Sequence, residues 1–134
     1  MITEGLASLD RYFIWSNRMR LLFDNVLKTG EHGTSRFSLE SRMYMSYWYA
    51  SLYVVIEGWH ELKLSDSTID ALLQSKNVDL LRRYRNGVFH YQKTYNDDRF
   101  VEFIKEGEDT VNWVRGLTSA FDKYLLDEIN GQKS

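Results

Sequence analysis

The chain has 134 residues, enough to bury one core and too short for two, so residues 1–134 are read as a single domain. Apolar residues make up 43% and charged residues 27%, which argues against disorder, and a net charge of −2 with a pI near 5.9 excludes a molecule-wide cationic field for gripping nucleic acid. Cysteine is absent, which removes disulfides, thiolate metal sites and a cysteine nucleophile.

The segment from Met1 to Arg11 carries Glu4, Asp10 and Arg11 and lacks the basic start, apolar stretch and small-residue cleavage site of a secretion signal, so a cytoplasmic protein is expected. From Ile2 to Lys28, Leu6, Leu9, Phe13, Met19, Leu22, Phe23 and Val26 recur at three- and four-residue steps, predicting a first helix closed by Gly30 and Gly33. A second helix is predicted from Ser38 to about Leu62. Its run from Met43 to Ile56 holds four tyrosines and two serines, too polar and short for a membrane span, and reads as a centrally buried helix.

A short third helix is expected after Ser65 or Ser67, carrying Ile69, Leu72 and Leu73. A fourth follows a cap-like Asn77 and runs through Leu80, Leu81, Tyr84, Val88 and Phe89. After a loop at Tyr95, Asn96 and Asp97, a long fifth helix carries Phe100, Phe103, Val114, Leu117, Phe121 and Leu125, with Gly107 placed to bend or split it. Proline is absent and no alternating strand pattern occurs, so the expected architecture is an all-α bundle of four or five helices.

No acidic residue lies between Asp79 and Asp97, whereas Arg82, Arg83, Arg85, His90 and Lys93 concentrate positive charge there, interleaved with Tyr84, Phe89, Tyr91 and Tyr95. Guanidinium forks match phosphate oxygens and aromatic rings stack on bases, so Arg82, Arg83, Tyr91 and Lys93 are candidate RNA contacts. The plainer reading is a solvated helix face beside a few core aromatics.

Within this stretch, Arg85-Asn86-Gly87-Val88-Phe89-His90 resembles the R-x(4-6)-H motif of the HEPN superfamily. The asparagine after the arginine, the apolar pair before the histidine and the expected placement on the penultimate helix of a small bundle all fit. The resemblance implies a HEPN-like helical bundle, often a homodimer, in which two facing motifs cut RNA without a metal. It equally admits a catalytically inactive module that binds a nucleotide, RNA or a protein. An antitoxin or other regulatory protein is the partner that toxins of this kind imply. In members paired with a nucleotidyltransferase antitoxin the motif continues as histidine, any residue, tyrosine; Gln92 stands at that tyrosine position here, so regulation by AMP transfer does not carry over.

The chemistry also follows from the residue types. An imidazole, with an ordinary pKa of about 6.5, can take the proton of a ribose 2′-hydroxyl, which makes His90 the candidate base. Arg85 would neutralise charge on the scissile phosphate in the transition state. Products would be a 2′,3′-cyclic phosphate and a 5′-hydroxyl. In an ideal helix Arg85 and His90 stand about 140° apart whereas Asn86 and His90 share a face, so Asn86 is expected to orient the ring. The competing reading of His90 is a hydrogen-bonded core histidine.

Glu57-x-x-His60 has the spacing of half a di-iron site, but no second half exists, and neither a metal nor another cofactor is expected. Glu57 follows Val54, Val55 and Ile56 and in apolar surroundings would need a cation such as Arg85; alternatively it reaches solvent near the helix end.

Overall fold

The computed structural model describes residues 2–133, so Met1 and Ser134, the ends of the expected domain, lie outside it. Six helices follow in order: α1 (Glu4–Thr29), α2 (Ser35–Glu61), α3 (Ser67–Leu72), α4 (Asn77–Phe89), α5 (Asp98–Lys105) and α6 (Glu108–Lys133), with no strand among the described residues. The all-α bundle is as expected, and the count rises to six because the predicted fifth helix is two, so α4, expected as the penultimate helix, is followed by two more. Gly107 takes φ +59° between them, a left-handed turn that glycine adopts without a Cβ clash.

Cap chemistry explains the shifted boundaries. The second helix begins three residues before the predicted Ser38 because Thr34 accepts the Phe37 amide proton at 3.2 Å. Asp66 caps α3 in place of either flanking serine, accepting from Ile69 at 3.0 Å. Asn77 is not the cap of α4 but its first helical residue. Ser75 Oγ accepts its amide proton, while its buried side chain donates to Asp109 Oδ2 at 3.3 Å.

The C-terminal half of α2 is the axis of the bundle. Trp48, Leu52, Val55, Ile56 and Trp59 are buried against Leu9 and Phe13 of α1 and Leu117 and Phe121 of α6. Tyr84 of α4 and Phe103 of α5 close the core beside Tyr49. The first half of α2 departs from the expectation of a helix apolar and buried all round: Leu39, Met43 and Tyr47 face outward. Among the described residues no helix is long and apolar enough to cross a membrane.

Indole N–H groups inside the bundle all find acceptors. Trp48 donates to Thr118 Oγ1 at 3.3 Å, Trp59 to Asp70 Oδ1 at 3.1 Å and Trp113 to the Leu72 carbonyl at 2.9 Å. Each bond joins two different helices, so it fixes register as well as satisfying a donor. Leu52→Ala, at a fully buried position, is expected to lower unfolding free energy by about 2–5 kcal/mol in urea titrations. A loss below about 1 kcal/mol would remove α2 from the centre of the core.

Asp24 ties α1 to α6, accepting from Arg115 Nη2 at 2.7 Å and from Arg20 Nη1 at 3.1 Å. The Arg115 hydrogen bond, helped by both positive charges and opposed by partial burial, holds its carboxyl below the usual carboxylate range. A depressed folded-state pKa contributes stability above the unfolded pKa near 3.8 and loses it as pH falls through the folded value. Asp24→Asn is therefore expected to lower stability at pH 7 and to flatten the decline below about pH 4, read by urea titrations across pH. An unchanged slope below that pH would show the pair to be energetically silent.

Candidate functional site

The fourth helix is amphipathic. Leu81, Tyr84 and Gly87 turn inward, and Tyr84 donates or accepts one hydrogen bond with Ser46 of α2 at 3.0 Å. Gly87 is where α5 crosses: a Cβ there would lie 2.9 Å from a Phe100 ring carbon and 3.2 Å from Arg99 Cβ. The glycine thus admits close helix contact, and the Asn86-Gly87 dipeptide does not end the helix.

The helix stops at Phe89. His90 is its C-cap, with extended backbone at φ −120° and ψ 127° and its amide donating to the Asn86 carbonyl at 3.0 Å. Its imidazole is exposed and makes no hydrogen bond among the described residues, which corrects the reading of a core histidine. The Asn86 side chain does not orient the ring. Its Oδ1 accepts instead from Arg85 Nε at 3.2 Å. The shared face of Asn86 and His90 presumed a helix continuing through His90, and the cap turns that residue away from it.

Arg85 is held on three sides. Nη1 donates to Glu57 Oε1 at 2.7 Å, Nε to Asn86, and the guanidinium carbon lies 4.8 Å above the Tyr53 ring. Glu57 thus meets the cation its surroundings called for and, with its side chain 50% exposed, also reaches water. Nη2 of Arg85 has no partner among the described residues, so one edge of the fork is open while the rest is fixed.

The charge concentrated in the sequence is largely neutralised in space. Arg82 pairs with Asp79 at 2.7 Å, Arg83 with Glu102, and Arg99 with Asp97 at 3.0 Å. Of the candidate RNA contacts, Lys93 keeps an unpaired charge and Tyr91 is 93% exposed, both in the loop after α4. The loop is fastened by Gln92, whose Nε2 donates to the His90 carbonyl at 2.8 Å and whose Oε1 accepts from Arg99 at 3.0 Å. The position that departs from the histidine-x-tyrosine pattern therefore clamps the backbone of the histidine. Among the described residues no group of three His, Cys, Asp or Glu side chains is placed to hold a metal ion.

Sequence spacing missed two features. Glu102 neutralises Arg83 from across the α4–α5 contact, 19 positions along the chain. A cavity of about 780 Å³ opens between α1, α2, α4 and α5, drawing its lining from segments as distant as Phe23 and Lys105. Comparison with known proteins finds no matching family model, curated protein or solved structure.

Glu57→Gln keeps an acceptor for Arg85 but removes the charge. With Glu57 half exposed, the expected loss of stability is under about 1 kcal/mol in urea titrations. A loss above about 2 kcal/mol would mean that the pair carries the α2–α4 packing rather than merely aiming the guanidinium.

Proposed function

We propose that the chain is a HEPN-type domain and that two copies together form a metal-independent endoribonuclease. The observation that carries this reading is a free, exposed imidazole at His90 capping the helix on which Arg85 is pre-oriented by Glu57, Asn86 and Tyr53. A fixed guanidinium with an open Nη2 edge needs little reorganisation to meet charge that develops on a phosphate.

In the reaction, His90 takes the proton of the ribose 2′-hydroxyl. The 2′ oxygen attacks phosphorus, the 2′-O–P bond forms and the P–O5′ bond breaks. Arg85 neutralises the non-bridging oxygens. The leaving 5′ oxygen takes a proton from an imidazolium, which the second copy of His90 supplies, so a dimer facing across α4 completes the site. Lys93 and Tyr91 lie on the loop next to the histidine, available to phosphate and base. With this reading go action in the cytoplasm and control by a partner protein such as an antitoxin.

The second reading is a catalytically inactive helical module that binds a nucleotide, RNA or protein partner, and the ion pairs of Arg82 and Arg83, which offer an incoming polyanion little free charge, favour the protein among these. Cleavage of single-stranded RNA in the presence of a chelator separates the two. The parent protein is expected to release 2′,3′-cyclic phosphate ends, His90→Ala to lose about 10²–10⁴-fold in rate and Arg85→Ala about 10²–10³-fold, with both variants folded by circular dichroism. A folded His90→Ala protein as fast as the parent would exclude the nuclease reading, as would activity that appears only on adding a divalent metal.

A further inference from the structure

The cavity between α1, α2, α4 and α5 lies on a different face of α4 from Arg85. Tyr84 points into it, one residue and about 100° away around the helix. At about 780 Å³ it falls within the range of small-molecule sites. Phe23, Leu27, Met45, Val101 and Ile104 line it from three helices. Its polar lining includes Ser46 and the Tyr84 hydroxyl, bonded to each other at 3.0 Å, so that one of the two hydroxyls donates and the other keeps its proton for a further acceptor.

Charge around the cavity is one-sided. Arg42 and Lys105 line it, no carboxylate does, and neither cation has a salt-bridge partner among the described residues. An apolar body with one anionic end is the ligand that satisfies both halves of such a lining.

The wall favours an aliphatic body over a flat one. The Phe23 ring is engaged with Trp48 at 5.7 Å, and Phe100 meets Tyr84 edge to face at 85°, which leaves Tyr95, 80% exposed, as the one lining ring without a ring contact among the described residues and no parallel pair to sandwich a base. The rest of the apolar wall is aliphatic, Leu27, Val101 and Ile104 with the unbranched and adaptable Met45, a surface that suits a flexible chain. We propose that this cavity binds a medium-chain acyl carboxylate, with the chain against Leu27, Met45, Val101 and Ile104 and the carboxylate between Arg42 and Lys105. The proposal is independent of the ribonuclease reading, because none of its residues belongs to the Arg85–His90 motif.

Titration calorimetry with decanoate tests it, with decan-1-ol, AMP and anionic phospholipid vesicles as separate arms. Saturable binding of one decanoate per chain is expected, with decanol and AMP at least about tenfold weaker. Arg42→Gln with Lys105→Gln, both at exposed positions, is expected to weaken decanoate about tenfold while leaving decanol unchanged. Ile104→Glu, which sets a carboxylate in the half-exposed wall, is expected to abolish decanoate binding without unfolding the bundle. No saturable decanoate binding would overturn the proposal. So would binding indifferent to the double substitution, AMP binding as tightly as decanoate, or binding to vesicles alone, which would make the face a membrane contact.

Discussion

Between Trp48 and Trp59 the second helix buries one broad face against α1, α4 and α6, and that burial sets terms for everything packed around it. A helix so placed has its own backbone satisfied but brings indole N–H groups into a dry interior, where an unmet donor costs about as much as a good contact gains. The bundle answers with acceptors from Thr118 on α6 and Asp70 on α3, and Ser16 of α1 donates in turn to the Trp48 carbonyl at 3.1 Å. Apolar area holds α1, α2 and α6 together, and these directed bonds choose one sliding position among the several that area alone would allow.

The motif helix depends on this centre at one remove. Tyr84 is seated against Tyr49 and Phe103, which aligns α4, and Gly87 lets α5 approach until Phe100 and Arg99 fill the space over the helix. The approach has electrostatic consequences: it carries Glu102 to Arg83, and it brings Arg99 to Gln92 and so to the His90 backbone. One missing Cβ therefore sets both the charge left on α4 and the rigidity of the loop that carries the imidazole.

Much of the fold was legible because helix formation and burial are written in local periodicity. The spacing of Leu6, Leu9 and Phe13, the positions Trp48, Leu52, Val55 and Ile56 and the late positions Leu117, Phe121 and Leu125 identified buried faces correctly, whereas Met43 and Tyr47 of the same apolar run are exposed. Caps were less legible. Serine and asparagine signal many possible starts, and which of Thr34, Ser35 or Ser38 serves depends on where the preceding turn delivers the chain. For the site, the Arg85–Glu57 pair was anticipated from a carboxylate in apolar surroundings and an available guanidinium. His90 was read as a candidate base with a core histidine as the alternative, because two apolar neighbours suggest burial when the end of the helix is unknown; its exposure at the C-cap removes the alternative. Glu102 and the cavity were illegible for a shared reason: both come from helices joined only by the tertiary fold.

Neutralisation along α4 also decides what kind of polyanion contact this surface can offer. A free arginine on a phosphate releases condensed counterions and gains affinity, whereas an arginine already bound to a carboxylate must exchange one anion for another, with a much smaller net return. Arg82 and Arg83 are in the second condition. Arg85 stands between the two, since Glu57 and Asn86 hold two of its nitrogens and Nη2 remains available. On the nuclease reading proposed above, the contact left open to this helix is with a single phosphate through Arg85, in place of the diffuse grip that its sequence composition suggests. Such a contact draws on direction rather than field strength, and direction is what the clamps on Arg85 and on the His90 backbone supply.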